Sequence, residues 1–443
     1  MTIIVAGCQE QVSQTTTTTS LGGTTTTITI PAGLVTPSDL VYLGAFRLPD
    51  GGDDAHSWSW GGTGATYYPN GDPSGPVDGY PGSIYGIGHD QHCYVSEINI
   101  PAPVISAGKN LSALNTATAL QPFTNVRAGV GSLEVFTEQA RVDIEYLPAQ
   151  GGQTSGKLYL CWGQHFQETG SEQETASHMW CDLDLTNSHG AWWVGHQSLY
   201  SVNDYLFEIP ANWAATYASG KLLATGRYRD GGWSGMGPCL FAIAPWNYGN
   251  PPANNTVMAE TPLLLYSNTR GGDTTSHKIN NYQNSDTWSG GAWLTAGSKA
   301  AVIFVGTKGT GTTEAWYGFS NGVRYPIDDP PEIPVPPIPP YPHDDRGWWT
   351  SSFEAQIIFY NPADLAAVAS GTKQPFEPQP YAAMNIDQYL FNINKVAGLE
   401  TNLQKQRLGA CCFDRTNGLL YVFEYRGDAD NDRPLIHVWR LNP

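Results

Sequence analysis

IYGIGHD (residues 84–90), LYLCWGQH (158–165), LLATGRY (222–228), VIFVGTK (302–308) and LYVFEYR (420–426) are five versions of one pattern, an apolar strand that ends in a polar, often basic turn. Working back from each, a polar turn such as QGGQ (150–153) or RTNG (415–418) supplies the Asn and Gly that hairpins need at positive φ. Before that turn stands a strand rich in glycine or aromatics: GATYY (64–68), VDIEY (142–146), GGAWL (290–294) and LGACCF (408–413). Working forward, an outer strand follows in each case: VSEINI (95–100), MWCDLDL (179–185), LFAI (240–243), AQIIF (355–359) and IHVWRL (436–441). A short apolar piece opens each repeat, at LGAF (43–46), ALQPF (119–123), QSLY (197–200), LLLY (263–266) and QPY (379–381). Four strands repeated five times predict an all-β fold, a β-propeller with five four-stranded blades. Divergent blades inside the insertions would raise the count to six or seven. Residues 40–47 are placed to close the ring against the C-terminal strands, which protects the sheet edges.

Composition agrees with this reading. The 443 residues are 40% hydrophobic and only 14% charged, with 49 Gly and 32 Pro, which suits turn-rich β structure rather than helices. Forty acidic residues against 22 basic ones give a net charge of −18, which argues against nucleic acid or anionic lipid as a bulk partner. The chain has no apolar run long enough to span a bilayer. The organisation expected is a tail over 1–39 and one propeller domain over 40–443, interrupted by an insertion at 325–349. Within that insertion, residues 330–342 are too proline-rich for strand or helix and should run as polyproline II. Residues 212–217 are the one short helical patch expected.

In the tail, VAGC (5–8) resembles a bacterial lipobox, which implies a secreted or surface-tethered protein, lipid-anchored at Cys8. The apolar stretch ahead of it is short for a signal peptide. The Thr-rich segment after it reads as a tether. Its β-branched part, TTTTITI (24–30), suits donation as a strand to a neighbouring copy, so residues 14–30 suggest self-association into a fibre or coat. Of the remaining cysteines, Cys161 and Cys181 can pair if strand register allows, and Cys411 and Cys412 should face opposite sides of one strand.

Equivalent turns of a propeller share a face, so the residues after the five apolar strands should converge. They bring together His89, Asp90, His92, His165, Arg227, Tyr228, Arg229, Lys308, Tyr425 and Arg426. A cationic, histidine-bearing ring on an acidic protein suits an anionic ligand, since Arg offers paired hydrogen bonds to carboxylate or sulfate. His89, His165 and Tyr228 beside Arg227 supply acid–base groups for β-elimination from a uronate, as polysaccharide lyases perform it. His92, Arg229, Lys308, Tyr425 and Arg426 would bind the polymer, and Trp233 would stack on it. A hydrolase would need two carboxylates instead; Glu134, Glu138, Asp143, Glu145 and Glu168 are available, but no spacing selects a pair. Asp428, Asp430 and Asp432 alternate as in a calcium loop, without the Gly and Glu of an EF-hand, so calcium is the one cofactor expected.

RYRDGGWSGMGP (227–238), GTKGTG (306–311), DRPLIHVWRL (432–441), YLGAFRLP (42–49) and GHD (88–90) resemble a group of uncharacterised bacterial secreted proteins. That resemblance implies a propeller fold more than an activity. The His, Tyr and Arg inventory is similar in chemistry to that of ulvan-lyase propellers, without a shared motif. The expectation is an extracellular propeller that binds anionic polysaccharide and cleaves it by β-elimination, or else a structural fibre protein.

Overall fold

Val302 and Phe304 belong to one buried cluster, while Ile303 and Val305 between them belong to another. The same alternation holds on the neighbouring strand, where Ile358 and Tyr360 join the first cluster and Ile357 and Phe359 the second. Side chains on a strand alternate between its faces. These strands are therefore buried on both, which explains why the diagnostic stretches are continuously apolar rather than alternating. The computed structural model describes residues 24–77, 79–130, 141–163, 176–197, 202–228, 230–232, 235–267, 277–327, 330–331 and 333–443, together with 15–21; for 15–21 and 24–30 it describes the backbone.

Five antiparallel sheets stand around one axis, each with four strands ordered from inside outward. The first blade is Ala65–Tyr68, Ser83–Ile87, Val95–Asn99 and Ala119–Thr124. The second is Arg141–Leu147, Lys157–Gly163, His178–Cys181 and His189–Val194, with Val257–Met258 added in parallel at its edge. The third is Tyr205–Glu208, Leu223–Gly226, Leu240–Ile243 and Thr261–Leu264. The fourth is Thr287–Ala296, Lys299–Gly309, Phe353–Tyr360 and Ala382–Asn385. The fifth takes Leu408–Asp414, Leu419–Asp428 and Arg433–Leu441 from the C-terminus, and its outer strand Leu40–Arg47 from the other end of the chain. Leu40 pairs with Leu441 and Arg47 with Leu435. The five blades and the closing strand are as the repeats predict.

The phase of the repeat differs from the reading. The apolar piece that seemed to open each repeat is the outer edge of the preceding blade, because the chain enters a blade at the axis and leaves at the rim. In the second blade that outer strand is His189–Val194, not QSLY, most of which lies outside the described residues. Each inner strand lies beside the next around the axis, closing the ring from fifth to first. Close approach there explains the glycines. A Cβ on Gly64 would lie 2.6 Å from the Asp143 backbone, and one on Gly290 would lie 2.7 Å from the Cys411 nitrogen.

Helix α1, Ala211–Tyr217, is the helical patch expected; α2, Pro362–Ala369, capped by Asn361, was not anticipated. Among the described residues no helix is long and apolar enough to cross a membrane. Cys161 stands opposite His178 and Cys181 opposite Leu158, so they are out of register for a disulfide, and the six described cysteines are free. Cys411 and Cys412 do face opposite sides, one toward the fourth blade and one toward the first. Thr24–Ile30 pairs antiparallel with Thr15–Leu21 of its own chain, so the strand expected to be donated already has an intrachain partner. In the insertion, Trp316–Gly318 pairs with Gly347–Trp349. Beyond this ribbon Pro336, Pro339 and Pro342 are half-buried, whereas Val335, Ile338 and Tyr341 are 57%, 72% and 64% exposed. A burial period of three is that of polyproline II.

Candidate functional site

The predicted ring divides into two halves. On the first and fifth blades its members do meet: the Tyr425 hydroxyl lies 3.1 Å from the Trp60 carbonyl and 3.4 Å from the Asp90 carboxylate. The Arg426 guanidinium lies over the Trp60 ring at 4.1 Å, with its Nε 2.7 Å from Asp432. His89 sits 3.5 Å from Asp90, and its ring lies 5.5 Å from that of His92. On the third and fourth blades its described members are buried. Arg227 and Tyr228 are fully buried, and Arg227 faces Asp204, which precedes its own blade's inner strand, at 3.6 Å. Lys308 likewise donates to both oxygens of Asp286 (2.8 and 3.1 Å) and to the carbonyls of Asn281 and Gly309. A buried cation must be paired, and here each is paired inside its blade. His165, Arg229 and Trp233 lie outside the described residues, as do Cys8, Glu134, Glu138 and Glu168.

Two of the three acids read as a calcium loop have guanidinium partners. Asp428 is buried and accepts from Arg47 and Arg433, both at 2.9 Å, while Asp432 takes Arg426. Among the described residues no cluster of three His, Cys, Asp or Glu is arranged to hold a metal ion.

The site that does form lies on the axis, at the opposite mouth from the predicted ring. A cavity of about 390 Å³ is enclosed by the last residues of the inner strands and the turns after them. Its aromatic walls are Tyr67, Tyr146, Phe207, Trp293 and Phe413; its polar groups include Thr66, Glu145, Glu208, Asp414 and Arg415. All five blades contribute, because each inner strand points its C-terminal end to this mouth.

Two acids on the second inner strand, Asp143 and Glu145, project on one side of it and behave differently. Asp143 accepts three backbone N–H groups, from Ala65 (3.0 Å), Ile144 (2.8 Å) and Leu206 (2.7 Å), and so ties the first three inner strands together. Glu145 accepts the Glu208 N–H at 3.0 Å and the Thr66 hydroxyl at 2.9 Å, and it lines the cavity. Burial, then the neighbouring Glu208 carboxylate, raise the Glu145 carboxyl well above the usual carboxylate range. Glu208 is held by Arg415, whose Nη2 and Nε lie 3.2 and 3.3 Å from Oε2. Arg415 is itself fixed by the Trp293 carbonyl (3.1 Å) and the Thr295 hydroxyl (2.9 Å). Both partners are about a third exposed, at 31% and 35%, so the ion pair opens onto solvent at the mouth.

A carboxyl with a raised pKa beside an ion-paired one, in a cavity lined partly by aromatic residues, can bind hydroxyl-rich ligands and exchange protons with them. Sequence reading had Glu145 among its carboxylates and Arg415 only as a turn residue; it missed Glu208. The signal available was the alternation along VDIEY, which puts both acids on one face of an inner strand. Compared with known protein families and with curated proteins, the chain matches none of them.

Proposed function

We propose that this protein is a saccharide-binding propeller whose axial cavity takes one or a few sugar units of an uncharged polysaccharide. The observation that carries the reading is the cavity lining: aromatic residues, of which Tyr67, Tyr146 and Phe413 are half-buried, beside carboxyls and a hydroxyl suited to sugar hydroxyls. Its charge balance moves the ligand from an anionic to a neutral one. Three carboxyl groups, Glu145, Glu208 and Asp414, face one guanidinium, Arg415, and that one is already engaged by Glu208. A uronate or sulfate would meet net repulsion there. The lipobox-like VAGC fits a polymer met outside the cell.

Calorimetric titration with a panel of neutral and uronate oligosaccharides tests this. Neutral oligosaccharides should bind with little salt dependence, since no exposed charge pair is formed. Phe413→Ala, at a half-buried position on the wall, should weaken binding about tenfold, the value of one aromatic stacking face. Binding confined to uronates and declining with salt would refute the neutral-glycan reading, as would affinity indifferent to Phe413.

A further inference from the structure

The contrast between Asp143 and Glu145 points beyond binding. The two acids sit two residues apart on one strand, Asp143 buried and Glu145 half-buried. A carboxylate offers about four acceptor positions. Asp143 uses three on backbone N–H groups and is absent from the cavity wall, which is what a structural brace requires. Glu145 uses two, one on a side-chain hydroxyl, and faces the cavity. Its neighbour Glu208 is not a brace either: Arg415 holds its carboxylate at the mouth, a third exposed. The backbone N–H of Glu208 bonds to Glu145 while its side chain turns to Arg415, so one residue fixes the spacing of both acids.

We propose that the cavity hydrolyses the glycosidic bond of the saccharide it holds, with Glu145 as general acid and Glu208 as the carboxylate that activates water. This rests on the saccharide-binding reading above. Glu145 gives its proton to the glycosidic oxygen. The bond from that oxygen to the anomeric carbon breaks, and its electron pair stays on the departing sugar as a hydroxyl. A water entering from the mouth forms the new bond to the anomeric carbon and gives up a proton to Glu208. One water is consumed, Glu145 is left ionised and Glu208 protonated. Exchange with solvent at the exposed Glu208–Arg415 pair restores both. Two carboxyls with separated roles are what this chemistry demands. Thr66 is a positioning residue: its oxygen accepts the Tyr146 N–H at 2.9 Å while its hydroxyl donates to Glu145 at 2.9 Å.

The test uses the full chain, a panel of neutral oligosaccharides, and aryl glycosides with a good (dinitrophenyl) and a poor (phenyl) leaving group. The wild type should release reducing ends from the oligosaccharides it binds. Glu145→Gln keeps both local bonds, since its oxygen can accept from Glu208 and its amide can donate to Thr66. A thermal melt confirms that it folds. It should retain oligosaccharide affinity yet lose about 10²–10⁴-fold in kcat on the phenyl glycoside, the usual worth of a general acid. The dinitrophenyl glycoside, which needs no protonation to leave, should lose far less. Affinity without any release of reducing ends would overturn the hydrolysis and leave the binding reading standing. Equal loss on both aryl glycosides, or none, would remove Glu145 as the acid. Absence of binding to the whole panel would overturn both readings together.

Discussion

Replacing Lys308 with methionine keeps the apolar stem of the side chain and removes its ammonium group. In the folded protein that ammonium meets both oxygens of Asp286, which is itself fully buried and otherwise accepts from Gln283 and Gly309. Without Lys308 the Asp286 carboxylate is a buried charge with no counter-ion among the described residues. Breaking such a pair from one side costs about 3–5 kcal/mol. At roughly 2.1 cal/mol/K of unfolding entropy per residue, a chain of this length should lose about 4 °C in Tm. Burial already raises the Asp286 carboxyl, with Lys308 opposing it, so the substitution raises it further. A raised carboxyl lowers stability above its unfolded value, and that penalty shrinks as pH falls. The deficit of Lys308→Met should therefore be largest near neutral pH and smaller near pH 4. Urea denaturation of the wild type, Lys308→Met, Asp286→Asn and the double variant gives the coupling directly, expected at about 2 kcal/mol or more. An unchanged melting temperature at neutral pH, together with lost oligosaccharide binding, would refute this reasoning and return Lys308 to a ligand-binding face.

Glu424 should govern part of the acid limb of stability. Burial opposes its charge, but Lys395, then His437 and the Phe391 N–H, overcome that and draw its pKa from 4.5 to about 2. The stabilisation is present above the unfolded value of 4.5 and is lost as pH falls through 2. It amounts to about 3 kcal/mol. Glu424→Gln should flatten the urea midpoint between pH 5 and 2, and identical pH slopes in the two proteins would contradict this. The six described thiols are buried, and burial pushes Cys93 and Cys239 up to about 12. They should resist a disulfide reagent in the native protein and react in urea, while reductant leaves Tm unchanged.

The blades were legible because their second strands are buried on both faces, and VIFV or LYVF can hardly be anything else. Their phase was not, since a cyclic array of four strands gives no mark of where a unit begins, and only ring closure by Leu40–Arg47 sets it. The third inner strand, YLFE, was passed over because it is only four residues long, and Glu208 went with it. Arg227 and Lys308 look in sequence like Arg426, the cation that lies partly exposed over Trp60. What separates them is an aspartate ahead of the inner strand, Asp204 or Asp286, which draws the cation inward. Spacing alone could not reveal that pairing, because the two partners are more than twenty positions apart.

The strand Leu40–Arg47 has its partner in the last residues of the chain. During synthesis it emerges well before its partner and must wait until residues 433–441 have been added. At about 5–20 residues per second that interval is roughly 20–80 s for some 400 residues. For all of it the nascent protein carries an unpaired apolar edge, together with the open flank of the first blade that the fifth will cover. Translation speed and chaperone access in that window, rather than the stability of the closed ring, should set the yield of correctly folded protein.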